Sequence, residues 1–149
     1  MLSYTKLPVY CAATMSDDHS VSNCIFCKIV AHELPGYIVY EDADFLAFLD
    51  IYPTVKGHTL VVPKKHVRWV YDVPNFGPYW ETVLAVTRAI QQSLKPSFVN
   101  YFTYGEVPHA HVHILPRFDD IKSVPPIVPR EQIAVTQEEL AEIAARIRK

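Results

Sequence analysis

The segment Val107-Pro108-His109-Ala110-His111-Val112-His113-Ile114-Leu115-Pro116-Arg117 restricts the fold more than any other stretch of the chain. Polar and apolar residues alternate strictly from His109 to Ile114, and a period of two belongs to an extended strand rather than to a helix. On such a strand Ala110, Val112 and Ile114 share one face and supply core, while His109, His111 and His113 share the other. Neighbouring histidines on that face stand about 7 Å apart, too far for a direct hydrogen bond yet close enough to line one pocket. Three readings of the segment are open from these residues: a pocket acting on one substrate, an exposed polar face that happens to be rich in histidine, and a zinc centre that takes two ligands from an H-x-H pair.

Around this strand the chain offers enough apolar matter for one packed domain. Half of its 149 residues are hydrophobic and only 20% are charged, which suits a globular core and argues against wholesale disorder. A formal net charge of −2, with acids and bases interspersed, provides neither a basic face for nucleic acid nor a polybasic anchor for a membrane surface. No apolar run approaches the ~20 residues needed to span a bilayer. Residues 1–22 read as a disordered N-terminal extension in which Pro8 interrupts a weak match to a signal peptide, and Met15 is an alternative start. Residues 23–149 then form the domain, with a C-terminal tail and helix.

The remaining elements follow from periodicity and punctuation. The segment from Asn23 through His32 reads as a short helix or turn stopped by Leu34-Pro35-Gly36. Tyr37 to Glu41 and Phe45 to Asp50 are β-branched and aromatic runs separated by Asp42-Ala43-Asp44, a hairpin pattern. Thr59 to Val62 gives a third strand ended by Pro63. From Pro78, the residues Trp80, Val83, Leu84, Thr87, Ile90 and Leu94 recur at helical spacing until Lys95-Pro96. Ser97 to Gly105 and His109 to Arg117 complete an antiparallel pair, and Thr136 with Glu139 caps a short terminal helix. The expected fold class is α+β: about five antiparallel strands with one long helix and short N- and C-terminal helices, the helices packed on one side of the sheet.

Cys11, Cys24 and Cys27 are an odd count, two of them spaced C-x-x-C, which disfavours a disulfide scaffold and favours metal or redox use in a reducing cytoplasm. A thioredoxin-like redox pair follows a strand in a βαβ unit that this sequence lacks. Zinc suits two thiolates better, with histidines completing a tetrahedral site.

Taken together, His109-Ala110-His111-Val112-His113-Ile114-Leu115 with the following Pro116-Arg117 resembles the signature of the histidine triad (HIT) superfamily of nucleotide hydrolases and transferases. The resemblance continues through Cys24-Ile25-Phe26-Cys27, Tyr40-Glu41-Asp42, Ala47 to His66 and Ile114 to Arg117, about four fifths of the chain. It implies a HIT-like fold, a two-fold homodimer and a purine nucleotide or nucleotide conjugate as partner. It also implies that His111 attacks the α-phosphorus to give a nucleotidyl-histidine that water hydrolyses, with His113 and His58 positioning phosphate oxygens and supplying a proton. In that chemistry the attacking imidazole must be neutral, its second nitrogen held by a backbone carbonyl.

For nucleotide binding the resemblance implies Asp50 at the ribose hydroxyls, Asn100 at the nucleotide, and Ile25, Phe26, Ile29 and Phe48 around the base; those four are equally explained as ordinary core. Where many members place a phosphate donor this chain has Gly105 and Glu106, so Glu106 is expected to face away or to meet the leaving group. The zinc-containing members imply a structural zinc on Cys24, Cys27, His66 and His109. The activity expected is that of a nucleoside phosphoramidase or dinucleoside polyphosphate hydrolase. The alternatives are a nucleotidyltransferase, or a zinc-stabilised nucleotide-binding or interaction module with little catalysis.

Overall fold

The computed structural model describes residues 23–118; the extension expected over residues 1–22 and the expected C-terminal tail and helix lie outside them. Five strands run in the order β1 (Ile38–Glu41), β2 (Phe45–Leu49), β3 (Thr59–Pro63), β4 (Phe98–Phe102) and β5 (Val112–Arg117). They form one sheet, ordered β1-β2-β3-β5-β4, with every neighbouring pair antiparallel. A six-residue helix α1 (Ile25–Val30) precedes the sheet, and α2 (Phe76–Leu94) joins β3 to β4 through a short 3-10 turn at Val70–Asp72. This is the expected α+β arrangement of five antiparallel strands and one long helix. Among the described residues no helix is long and apolar enough to cross a membrane.

The helices do not lie on one side, and this corrects the expectation. Both β2 and β3 are apolar on successive residues, Phe45-Leu46-Ala47-Phe48 and Leu60-Val61-Val62, and both are buried on both faces. Strands of that kind need cover above and below. Phe45, Ala47, Val61, Val112 and Ile114 pack with Tyr79, Val83, Val86 and Ile90 of α2. On the opposite face Leu46, Phe48, Leu60 and Val62 pack with Cys24, Phe26 and Ile29 of α1 and its cap.

Helix α2 begins at Phe76, two residues before Pro78, and ends where Lys95 takes the left-handed conformation (φ 51°) with Pro96 behind it. Proline within the first turn forfeits no intrahelical hydrogen bond. The helix is held to the sheet by more than apolar contact, because the buried Tyr79 hydroxyl donates to the Val61 carbonyl at 2.6 Å.

The histidine strand also starts later than its alternation suggests. Pairing with β3 runs through Thr59↔Ile114, Leu60↔His113 and Val61↔Val112 and then stops. Pro63 has no N–H with which to extend the ladder, and the Ala110 N–H donates instead to the Val67 carbonyl at 2.6 Å. His109 and His111 therefore sit in a run-in bonded to the loop after β3, outside the ladder. The alternation survives in that run-in: Ala110 joins the α2 core, and the histidine rings lie against Phe26 of α1.

Gly57, just before β3, has φ of +82°, and a Cβ there would stand 2.5 Å from Leu94 Cδ1 and 3.2 Å from Pro116 Cγ. A side chain at this point meets both left-handed strain and a filled space. Gly57→Ala is expected to cost about 1–2 kcal/mol in urea unfolding with an unchanged m-value; unaltered stability would contradict the placement of this turn.

Candidate functional site

Strand register gathers the polar residues that carry chemistry. Phe48 pairs with Leu60, and Leu60 with His113, so one row crosses β2, β3 and β5 on the α1 face. Alternation extends that face to Asp50 at the end of β2 and to His58 at the start of β3. Helix α1 lies over one end of the row, where the Phe26 ring contacts Phe48 (centroids 5.5 Å apart), His111 (5.2 Å) and His109 (5.9 Å).

Between α1 and this row opens a cleft of about 550 Å³. Its lining includes Ile25, Phe26, Ile29, Phe48, Asp50, Glu106, His111 and His113, so each of the four apolar candidates reaches it. Phe26, Ile29 and Phe48 are buried and serve as core and wall at once. Glu106 is exposed and belongs to the lining. The structure does not bring Asn100 here: its Oδ1 accepts from Arg117 Nε at 3.1 Å in the β4–β5 ladder, and it is absent from the lining. Leu34, Tyr52 and Tyr104 line the cleft as well and were missed in the sequence, because they come from connections with no periodic signal.

The ring nitrogens define what the histidines can do. His111 Nδ1 lies 2.7 Å from the His109 carbonyl, which only accepts, so the proton is on Nδ1 and the Nε2 lone pair is left over. Nε2 makes no hydrogen bond among the described residues, and the ring borders the cleft.

His58 Nδ1 receives the Thr54 N–H at 3.3 Å, so its proton is on Nε2, which donates to His113 Nδ1 at 2.8 Å. That leaves the His113 proton on Nε2, a buried donor with no partner among the described residues. Asp50 Oδ2 stands 3.5 Å from His58 Nδ1, a charge contact too long to displace the backbone amide, while its Oδ1 accepts from Tyr52 N–H at 2.8 Å.

His111 and His113 thus present a lone pair and an N–H side by side, their ring centroids 4.8 Å apart. His113 is fixed further by stacking on Phe102, 4.1 Å between centroids and 5° from parallel.

Burial favours the neutral form of all three rings. Burial lowers the affinity of His111 for a second proton against the opposing pull of the His109 carbonyl and Asp50. Burial, with His111 and His58 alongside, pushes His113 down to about 4. Burial also lowers His58, although Asp50 favours its charge.

A second cluster lies at the N-terminal end of α1, on the cysteines that flank Ile25 and Phe26. Cys24, Cys27, His66 and His109 each offer one ligand atom, and these atoms fall within 4.8 Å of one another. His109 Nδ1 is 3.3 Å from Cys24 Sγ and 3.4 Å from Cys27 Sγ, and His66 Nδ1 is 3.1 Å from Cys27 Sγ. A tetrahedral ion with bonds of about 2.3 Å to sulfur and 2.0 Å to nitrogen spaces these atoms by about 3.5 Å. The donor set therefore fits a metal ion.

Two further features support the fit. His109 Nε2 donates to the Pro63 carbonyl at 2.8 Å, which aims the Nδ1 lone pair at the thiols. Burial and the neighbouring Cys24 push the Cys27 thiol well above its ordinary value, a cost that a cation at this point removes. Lys64, adjacent to the cluster in sequence, is engaged elsewhere, in a 2.8 Å ion pair with Glu41.

Comparison with known proteins accords with this geometry. The Bacillus subtilis protein hit is 44% identical over 108 residues, covering 67% of this chain and 74% of that protein. Adenosine 5′-monophosphoramidase HNT1 of Saccharomyces cerevisiae is 32% identical over 103 residues, covering 65% of this chain and 64% of the yeast protein. The crystal structure of a HIT family member from Bacillus subtilis superposes with a TM-score of 0.73 at 36% identity, covering 85% of this chain and 95% of that one. The sequence matches the HIT domain over residues 31–120, more than half of its length, and the chain belongs to that family.

Proposed function

We propose that this protein is a nucleotide hydrolase that acts at the α-phosphorus of nucleoside phosphoramidates or dinucleoside polyphosphates. One observation carries the reading: the His111 proton is locked on Nδ1 by the His109 carbonyl, so that Nε2 is a neutral nucleophile at a cleft of nucleotide size. The phosphoramidase activity named for the yeast relative supports the same class of substrate.

In the first step the His111 Nε2 lone pair bonds to the α-phosphorus as the bond to the leaving nitrogen or oxygen breaks, and the leaving group takes the bonding electrons. An amine needs a proton to leave. That proton comes from solvent, to which the attacking water later returns one; the unpartnered His113 Nε2–H donates a hydrogen bond to a phosphoryl oxygen or to the leaving atom, backed by the His58 hydrogen bond. Water then attacks the nucleotidyl-histidine, releasing the nucleoside monophosphate and returning the imidazole to its neutral form. We assign Asp50 to the ribose hydroxyls and Ile25, Phe26, Ile29 and Phe48 to the base, a reading supported by their common place in the lining of the cleft. His111→Gly is expected to lower AMP release from adenosine 5′-phosphoramidate or diadenosine tetraphosphate about a thousandfold or more. Equal turnover by the variant would refute the assignment and favour a binding module.

We assign a structural zinc to Cys24, Cys27, His66 and His109. Bound there, zinc supplies a cross-link and charge neutralisation for the thiolates, joining α1, the loop after β3 and the histidine segment. The native protein is expected to contain one zinc per chain. Cys24→Ser should lose it and lower the thermal midpoint by about 5 °C or more; a variant that keeps full zinc would overturn the ligand set.

A two-fold homodimer completes the proposal. Among the described residues β4 is an edge strand of the sheet, and Phe76 and Leu84 of α2 and Tyr101 of β4 are exposed large hydrophobic residues. Sedimentation at micromolar concentration should give twice the chain mass, and a monomer there would count against it.

A further inference from the structure

The charge of the large cleft is one-sided. Among the described residues its wall holds two carboxylates, Asp50 and Glu106, and no lysine or arginine. Arg117, whose charge bears on His58, stands outside the lining, with its Nε–H donated to Asn100 Oδ1. A phosphoryl group bound at His111 and His113 is anionic, so this wall adds to its charge rather than offsetting it.

The two carboxylates differ in what they leave for a ligand. Asp50 Oδ1 accepts from Tyr52 N–H at 2.8 Å, and its Oδ2 stands 3.5 Å from His58 Nδ1. Glu106 is exposed and makes no hydrogen bond or ion pair among the described residues. It belongs to the connection between β4 and the histidine segment, together with Tyr104 and Val107, which also line the cleft. Gly105 beside it has no side chain, and a Cβ there would come within 2.5 Å of Trp69 Cζ3 and 2.9 Å of its Cη2. Where a phosphate donor was expected, the chain thus presents an indole seat and one unpartnered negative charge.

We infer that Glu106 is a specificity-determining residue, and that it favours a leaving amine bearing a second, protonated amino group, as in a nucleoside phosphoramidate of a diamine or polyamine. The inference rests on the nucleotide-hydrolase reading above and narrows it toward phosphoramidates. In-line displacement puts the departing atom opposite His111 Nε2, on the cleft side of the phosphorus, where Glu106 also stands. As the Nε2–phosphorus bond forms, the phosphorus–nitrogen bond breaks, and the electron pair stays on the departing nitrogen, which takes a proton from solvent. The ammonium at the far end of the leaving group takes no part in that step. It keeps its charge throughout and lies in the field of Glu106, from which a neutral amine gains nothing and by which an anionic one is repelled. A polyphosphate leaving group brings several further negative charges to the same wall and is disfavoured on the same ground.

The test uses adenosine 5′-phosphoramidates of diaminopropane, propylamine and β-alanine, whose free ends are cationic, neutral and anionic. For each, kcat/KM is measured in the zinc-loaded full chain for wild type, Glu106→Gln and Glu106→Lys. Comparing ratios between proteins cancels the intrinsic reactivity of each amine. The cationic-to-neutral ratio should be about fivefold higher in wild type than in Glu106→Gln, and the anionic-to-neutral ratio lower by about the same factor. Glu106→Lys should reverse both preferences, and salt at about 0.5 M should shrink them. Ratios that stay the same across the three proteins, even where every rate falls, overturn this inference and leave the hydrolase reading standing. Failure of wild type on all three substrates overturns the hydrolase reading and this one with it.

Discussion

A neutral imidazole has one proton for two ring nitrogens, and once buried each nitrogen must be matched to a partner of the right kind or be left for a ligand. The face of this sheet beneath α1 is organised by that constraint. His109 gives its Nε2–H to the Pro63 carbonyl and turns a lone pair toward two thiols. His111 gives its Nδ1–H to the His109 carbonyl and turns a lone pair toward the cleft. His58 and His113 share one hydrogen bond, which leaves a single N–H without a partner among the described residues. Two lone pairs and one donor result, each fixed by a backbone or ring contact, and burial favours the uncharged form of these rings.

The same local feature separates the metal cluster from the cleft. Had β3 and β5 remained paired to their ends, His109 and His111 would lie in the ladder. Pro63 stops the pairing, and its carbonyl and that of Val67 then become the anchors for His109 and Ala110. A helix of only six residues suffices on top, because Cys24 caps it by accepting the Cys27 N–H and Phe26 reaches down onto both imidazoles. If an ion occupies the cluster, α1 and the loop carrying Trp69 and Tyr71 are fixed from one point.

Much of this was readable in the residues, for definable reasons. Alternation in the histidine segment, the hairpin turn at Asp42 to Asp44 and the helical spacing of α2 are local patterns; β1, β2, β3 and α2 formed within two residues of them, while β5 begins three residues after His109. The two-sided cover of β2 and β3 was also written in their unbroken apolar runs, although the long helix alone does not reveal where the second cover comes from. The wall residues Leu34, Tyr52 and Tyr104 were invisible, because a connection carries no period and its contacts depend on tertiary placement. Asn100 shows the converse. A motif position can suggest a contact that the strand register assigns to another partner, here Arg117. The glycine at 105 looked like a loss in the linear chain, whereas in space the position is filled by an indole from another loop.

The His58–His113 hydrogen bond has a consequence for folding as well. Because β2 and β3 are apolar on both faces, a one-residue slip of β3 would still bury hydrophobic side chains and incur little penalty from them. The polar end of the strand is less forgiving. A slip would carry His58 to the α2 face, among Val83, Val86 and Ile90, and strand a desolvated imidazole there without its partner. The residues that make the cleft reactive are thus also the ones that make the misaligned sheet expensive, so a substitution at His58 tests assembly fidelity as much as chemistry.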